Sequence, residues 1–166
     1  MRKFQNVSRN RQSELETQFP DIVKLVQVEP SEYYTYVAVS IFDHWLSREE
    51  SMEYLSNLSH EEIERRGQVF DRFNQLLINN TEILTFRFKG ISKSRPQFKN
   101  FSSHKVLSDY LRQTDMGMYE TVLPELTAVY FEGYDDTNIL YLRDLAHKPT
   151  IEKWAKEVGL HCLEQW

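Results

Sequence analysis

Cys162 and the histidines are the first candidates for nucleophilic or acid–base catalysis, but their spacing argues against a catalytic arrangement. Cys162 needs an adjacent base to act as a nucleophile, yet its neighbour His161 would point to the opposite face of a strand. His44 follows Asp43, and side chains one position apart on a helix do not face each other. The sequence contains neither a glycine-rich phosphate loop nor a Gly-x-Ser-x-Gly nucleophile elbow. We therefore predict that the protein is not an enzyme and requires no cofactor.

Two groups of residues have the chemistry of metal ligands but lack the required spacing. His60 and Glu64 lie four positions apart on a predicted helix, where the metalloprotease motif requires a second histidine instead of Glu64. Glu132, Asp135 and Asp136 crowd one turn-rich loop, but the twelve-residue calcium-loop pattern is absent. Aspartate is also an ordinary turn-forming residue. The sequence therefore predicts no metal site.

Acidic residues are concentrated in two stretches of the chain. Residues 29–64 contain nine acids and one basic residue, Arg48, and residues 113–142 contain six acids and no Lys or Arg. Four tyrosines lie within the second stretch: Tyr119, Tyr130, Tyr134 and Tyr141. Such a surface could simply keep a protein soluble. It also favours a basic partner, because opposite charge speeds encounter and aromatic anchors supply contact energy.

This charge pattern predicts a small acidic protein-binding module. The specific hypothesis is an inhibitor or immunity-type protein that neutralises a basic partner, such as a nuclease toxin, through an acidic tyrosine-rich surface. That surface is expected to centre on the loop at residues 132–138. The residues predicted to contact the partner are Glu132, Tyr134, Asp135, Asp136, Tyr119 and Glu120.

Two other functions stay open as alternatives. The first is an enzyme or small-ligand-binding protein whose site lies between the sheet and a helix at residues 31–46, with His44, Tyr36 and Cys162 as candidates. The second is nucleic-acid binding by a loop at residues 87–105, which contains six positive residues and no negative one. Phe88, Phe98 and Phe101 are interleaved with these cations, as in single-strand binding surfaces. The net charge of −5 disfavours this second alternative.

Length and composition predict a single globular domain spanning residues 1–166, with residues 1–12 frayed. The chain has 166 residues, of which 40% are hydrophobic, and only five glycines and five prolines. Its single cysteine excludes a disulfide framework. The basic residues at the start are not followed by an apolar run, and no stretch is long and apolar enough to span a membrane. We therefore expect a cytoplasmic protein without membrane contact.

Hydrophobic periodicity predicts an α+β fold. Runs of strand-forming residues at 126–131 and 139–142 flank a Gly/Asp/Asn-rich loop, which indicates a β-hairpin inside a sheet. Helices are predicted at 31–46, 59–80, 103–112 and 150–158, a strand at 82–89, a loop at 90–102 and a last strand at 160–166. The expected architecture is a helical N-terminal half packed on a four- to five-stranded antiparallel or mixed sheet, built from the C-terminal half.

Overall fold

The computed structural model describes residues 1–165 and places eight strands from that range in one antiparallel sheet. The strands are β1 (Phe4–Asn6), β2 (Thr35–Ser40), β3 (Leu84–Lys89), β4 (Arg95–Phe101), β5 (Glu120–Leu123), β6 (Ala128–Phe131), β7 (Thr137–Leu142) and β8 (His161–Glu164). The helices are α1 (Arg9–Gln18), α2 (Ile22–Val26), α3 (Arg48–Tyr54), α4 (His60–Asn80), α5 (His104–Tyr110) and α6 (Lys148–Val158). Two short 3₁₀ turns, Pro124–Leu126 and Leu145–His147, precede β6 and α6.

The prediction of a four- to five-stranded sheet from the C-terminal half is wrong. The strand order is β1-β4-β3-β5-β6-β7-β2-β8, so strands from the N-terminal half lie at one edge and next to the other edge. The segment expected as a helix at 31–46 forms β2, because Val37 and Val39 alternate toward the core in a run of β-branched and aromatic residues. The segment expected as a loop at 90–102 forms most of β4. Residues 1–12, expected to be frayed, contain β1 paired with β4 and the first turn of α1.

The hairpin predicted from residues 126–142 is confirmed and lies in the middle of the sheet. β6 and β7 pair antiparallel, with Ala128 opposite Leu142 and Phe131 opposite Ile139. Helix α4 matches the helix predicted at residues 59–80, and α6 matches the helix predicted at residues 150–158. Gly159 adopts a left-handed φ of 90°, as expected just past a helix end. The last predicted strand is present as β8, and its final residue, Trp166, lies outside the described residues.

The two faces of the sheet are covered unequally. Helices α4, α5 and α6 pack on one face, where Phe70, Phe73 and Leu77 of α4 join Ile151 and Ala155 of α6 in a continuous core. On the other face, α1 and α2 cover only the half formed by β3, β4, β5 and β6. Over the half formed by β7, β2 and β8, the second face is left as a cavity that is bordered by Leu25 and Val26 of α2 and by Ser51 of α3.

A buried hydrogen-bond network fixes the hairpin against α4. Asn138 of β7 donates to the hydroxyl oxygens of Tyr119 and Tyr130, each at 2.8 Å. Tyr130 donates to Asn74 of α4 at 2.7 Å, and Gln113 accepts from Tyr119 at 2.7 Å. A buried polar network is stable only when its members are satisfied, as they are here. The network therefore specifies one packing of the hairpin on α4.

Arg66 of α4 contacts three other segments of the chain, which contain Asp136, Tyr54 and Phe42, and it also pairs with Glu62 of its own helix. Its guanidinium donates to Asp136 in the hairpin loop at 2.8 Å, to Glu62 at 2.9 Å and to the carbonyl of Tyr54 at 3.1 Å. Its charged group also lies 5.4 Å from the centre of the Phe42 ring. The Arg66 side chain is only 9% exposed, so this is a largely desolvated ion pair.

Removing Arg66 is expected to destabilise the protein far more than removing its neighbour. Arg66→Ala leaves the Asp136 carboxylate without its cation, which costs about 3 kcal/mol of unfolding free energy for a buried pair. Arg65→Ala breaks only a pair with Glu62 in which Arg65 is 58% exposed, and should cost less than about 1 kcal/mol. Chemical denaturation measures both values, and equal losses for the two variants would contradict the assignment.

Candidate functional site

The uncovered half of the sheet forms the floor of a cavity of about 540 Å³. We call this cavity the aromatic groove, and its floor consists of Tyr36 of β2, Phe131 of β6, and Ile139 and Tyr141 of β7. These four side chains share one face because β6, β7 and β2 are neighbours and alternate residues of a strand point the same way. All four are only partly buried, so the groove floor is accessible from solvent.

The rings on the groove floor contact one another edge to face. Tyr36 and Tyr141 are cross-strand partners with ring centres 5.7 Å apart and planes at 81°. Phe131 lies 5.9 Å from Tyr141, and Trp45 lies 6.3 Å from Tyr36. Burial raises the pKa of Tyr36 to about 12, so its hydroxyl is neutral at physiological pH. The floor is therefore an uncharged, rigid aromatic surface.

The segment 41–47, which follows β2, forms one wall of the groove. The Trp45 indole donates to the backbone carbonyl of Glu164 at 2.7 Å, which fixes the ring over the end of β8. His44 bridges two carboxylates, at 2.6 Å from Asp43 and 2.9 Å from Glu50. These hydrogen bonds, first to Asp43 and then to Glu50, raise the pKa of His44. With both ring nitrogens bonded to carboxylates, His44 holds the 41–47 segment in place and has no free nitrogen to act as a base.

The opposite wall is built from the hairpin loop and from residues 117–120. A side chain at Gly133 would collide with the carbonyl oxygen of Thr137, so the tight loop requires glycine there. Tyr134 lies against Gly117 and remains 67% exposed. Glu120, the first residue of β5, lies opposite Phe131 in the strand register and lines the groove.

Val28, just after α2, stands at the rim in an unfavourable backbone conformation. Its φ of 58° is left-handed, which is rare for a β-branched residue and costs of order 1–3 kcal/mol. The amides of Val28 and Glu29 donate back to Leu25 and Lys24, the pattern that normally ends a helix at glycine. Val28 is also 80% exposed, so packing does not explain the choice of valine.

Two of the six residues predicted to contact a partner are buried. Tyr119 is 0% exposed within the polar network, and Glu132 is 4% exposed. The Glu132 carboxylate accepts hydrogen bonds from the backbone amides of Thr114, Asp115 and Met118, and so holds the segment 113–118 in place. Both residues border the groove, but almost all of their surface is covered by the protein itself.

The other four predicted residues differ in accessibility. Asp136 is neutralised by Arg66 and its side chain is 13% exposed. Tyr134 and Asp135 are exposed at the tip of the hairpin, and Glu120 is half-buried. These three residues all line the aromatic groove. Instead of the expected continuous acidic surface, the structure has a cavity lined by aromatic residues, with Glu120 and Asp135 at its edge.

The residues of the two alternative sites are separated by the fold. Tyr36 and His44 line the groove, but Cys162 packs against the core on the opposite face of the sheet. Burial raises the pKa of the Cys162 thiol to about 11, so it is protonated and weakly nucleophilic at neutral pH. In the 87–105 segment, Phe98 is fully buried, and Phe101 packs on Tyr110 at 5.1 Å. Neither ring is free to stack on a base.

The groove residues that the sequence did not single out are Phe131, Ile139 and Trp45, together with Tyr141 in its role on the floor. The available signal was the alternation Ile139–Tyr141, which places two large side chains on the face opposite Leu140 and Leu142. That pattern indicates a strand with two apolar faces. It does not indicate which face lacks a covering helix, because this depends on where α1 and α2 end.

Comparison of the chain with protein-family models, with curated proteins and with solved structures finds no match. Within residues 1–165, no helix has the length and hydropathy needed to cross a membrane. The same residues contain no cluster of three or more His, Cys, Asp or Glu side chains arranged to hold a metal ion. The function of the groove must therefore be inferred from its geometry and charge.

Negative charge is concentrated beside the groove at Asp115. Burial, together with the nearby charges of Asp136, Asp135 and Glu132, raises the pKa of Asp115 to about 6. The carboxylate accepts the backbone amide of Asp136 at 2.9 Å, which joins the 113–118 segment to the hairpin loop. A raised pKa means that the folded state holds the proton more tightly than the unfolded state. The stability that protonated Asp115 contributes is fully present below the pKa of this residue in the unfolded chain. It is lost as the pH rises through about 6, the pKa of Asp115 in the folded protein.

Asp115→Asn removes this charge and keeps an oxygen that can accept the Asp136 amide. Because Asp115 is half-exposed, we expect a gain of only about 1 kcal/mol in unfolding free energy at about pH 7, and none at about pH 4. Chemical denaturation at both pH values measures the difference from wild type. Asp109→Asn is the control, since Asp109 is paired with Lys105 and should give no gain. An equal gain from Asp115→Asn at both pH values would contradict the electrostatic explanation.

Proposed function

We propose that this chain is a protein-binding module and that the aromatic groove is its docking site. The occupant is a segment of a basic partner protein that inserts side chains between the 41–47 wall and the hairpin loop. The observation that carries this proposal is the uncovered aromatic floor, because the other apolar surfaces of the sheet are packed against helices. Aromatic residues in a pocket are the usual anchors of protein interfaces.

The rim of the groove favours a macromolecular partner. Val28 and Tyr134 line the groove and are exposed, at 80% and 67% respectively. Met116 and Met118 are the chain neighbours of Gly117, which lines the opposite wall, and they are 65% and 63% exposed. Exposed apolar residues grouped around a cavity mark interaction surfaces, and methionine adapts readily to partner shape. This rim extends beyond the floor, and a partner protein would bury more of it than a small molecule.

The charge of the groove favours a basic partner. Its lining includes Glu120 and Asp135, whereas no Lys or Arg of the described residues lines it. Histidine is present as His44, which is already paired with Asp43 and Glu50. An acidic site complements a cationic segment and speeds its association.

An inhibitor or immunity-type role is the specific form of this proposal. A protein that occupies a basic surface of a nuclease toxin would block the cations that such an enzyme uses to hold nucleic acid phosphates. We place this interaction in the cytoplasm, where a protein with a single free thiol such as Cys162 needs no disulfide partner.

A small organic ligand is the second candidate occupant. The cavity volume of about 540 Å³ falls within the usual range for small-molecule sites, and its lining is largely apolar with a few polar groups. A ligand that binds only the folded state must raise the melting temperature. A thermal-shift screen with metabolites would support this candidate through a saturable shift that the variant Ile139→Ala reduces, and no shift with any compound would count against it.

The docking proposal predicts that Tyr134 contributes binding energy. Peptides selected from a random displayed library on the immobilised protein should bind Tyr134→Ala at least about tenfold more weakly than wild type. Tyr33→Ala is the matched control, because Tyr33 is 42% exposed and lies outside the groove. Fluorescence polarisation of labelled peptides measures both affinities. Peptides that bind the two variants equally well would contradict docking at the groove.

A further inference from the structure

We infer that Glu120 is the anion that recognises a lysine or arginine side chain of the occupant, with the aliphatic stem of that side chain lying across the rings of the groove floor. This inference rests on the proposed docking function and names the chemistry of the anchor. It assigns a specificity-determining role to a carboxylate that the fold does not otherwise use.

The Glu120 carboxylate lacks the compensation that the neighbouring acids have. Glu132 is satisfied by three backbone amides, Asp136 by Arg66, and Asp115 by the Asp136 amide. Among residues 1–165, the Glu120 carboxylate makes no hydrogen bond and no ion pair, and only its backbone is engaged. Burial alone raises the pKa of Glu120 above its ordinary value. A half-buried carboxylate without a partner is unfavourable in the free protein, and a cation would relieve this.

The rings near Glu120 suit a cationic side chain. Phe131 is the cross-strand neighbour of Glu120. The Phe131 ring contacts the ring of Tyr141, which in turn contacts the ring of Tyr36 on the groove floor. The faces of aromatic rings carry partial negative charge and attract ammonium and guanidinium groups, more strongly when water is excluded. The methylene stem of lysine or arginine can pack on the same rings while its charged end reaches a carboxylate.

No built-in cation competes for this position. The groove lining has no Lys or Arg within the described part of the chain. Asp135 also lines this cavity and adds to its negative potential, and its neighbour Asp136, not Asp135, is the residue that pairs with Arg66. A cationic side chain in the groove would therefore be attracted by the carboxylates of Glu120 and Asp135, whereas an acidic one would be repelled.

The test uses the intact protein and a library of displayed random peptides as the probe. Peptides are selected on wild type, sequenced, synthesised and measured by fluorescence polarisation on wild type, Glu120→Gln and Glu157→Gln. Glu120→Gln keeps the size of the side chain and removes a charge that the fold does not use, so it should unfold at the wild-type temperature or slightly higher. Glu157 lies on the exposed side of α6, away from the groove, and its variant is the matched control.

We expect the selected peptides to share a Lys or Arg, to bind Glu120→Gln at least about tenfold more weakly, and to bind Glu157→Gln as they bind wild type. Replacing that Lys or Arg by norleucine should weaken binding to wild type and leave the low affinity for Glu120→Gln unchanged, since the two groups act as a pair. Peptides that depend on Tyr134 but lack a shared cation, or that bind Glu120→Gln with full affinity, would overturn the inference and leave the docking proposal intact. Failure to obtain any peptide sensitive to Tyr134→Ala would overturn both.

Discussion

The sheet has two apolar faces, and an apolar sheet face is stable in water only when something covers it. Helices α4, α5 and α6 pack on one face, but α1 and α2 are too short to cover more than half of the other. The chain turns away after Val26 and enters β2, which places Tyr36 on the face that α2 has just left. The aromatic groove is therefore a direct consequence of where two short helices end.

Several features of the groove are unfavourable for the folded state taken alone. Val28 holds a left-handed backbone conformation at the rim, where glycine would avoid the strain. Glu120 is partly desolvated without a counter-charge, and Asp115 is crowded by other carboxylates. Such local costs tend to accumulate at functional sites, where binding compensates for them. Val28 and Glu120 line the groove, and Asp115 is joined to its hairpin-loop wall through the Asp136 amide.

Local patterns in the sequence predicted some elements well and others badly. Capping signals at Ser59 and Gly159 located the ends of α4 and α6, because a helix terminus is decided by a few nearby residues. The segment containing β2 was predicted as a helix because its aromatic and apolar residues also recur at helical spacing. Its β-branched residues Thr35, Val37 and Val39 favoured a strand, and pairing with β7 and β8 on both sides decided the outcome.

The candidate site was less predictable than the fold, for a physical reason. Identifying Tyr134, Asp135 and Glu120 required only local charge and turn chemistry, and all three do line the groove. Glu132 and Asp136 have the same side-chain chemistry, but their carboxylates are already paired within the protein. Glu132 accepts hydrogen bonds from backbone amides, and Asp136 pairs with Arg66, which lies 70 positions away in the chain. A single sequence does not reveal such long-range pairing, nor how far α2 extends over the face that carries Tyr141.

The central claim is that the uncovered aromatic face is where a partner binds. The most direct measurement is NMR of the protein with ¹³C-labelled tyrosine rings during titration with a groove-selected peptide. The account predicts saturable shifts for the ring signals of Tyr36, Tyr141 and Tyr134, while the signals of Tyr130 in the polar network and of Tyr110 on the opposite face stay unchanged. Shifts confined to Tyr33 or Tyr110, with the groove tyrosines unchanged, would contradict it.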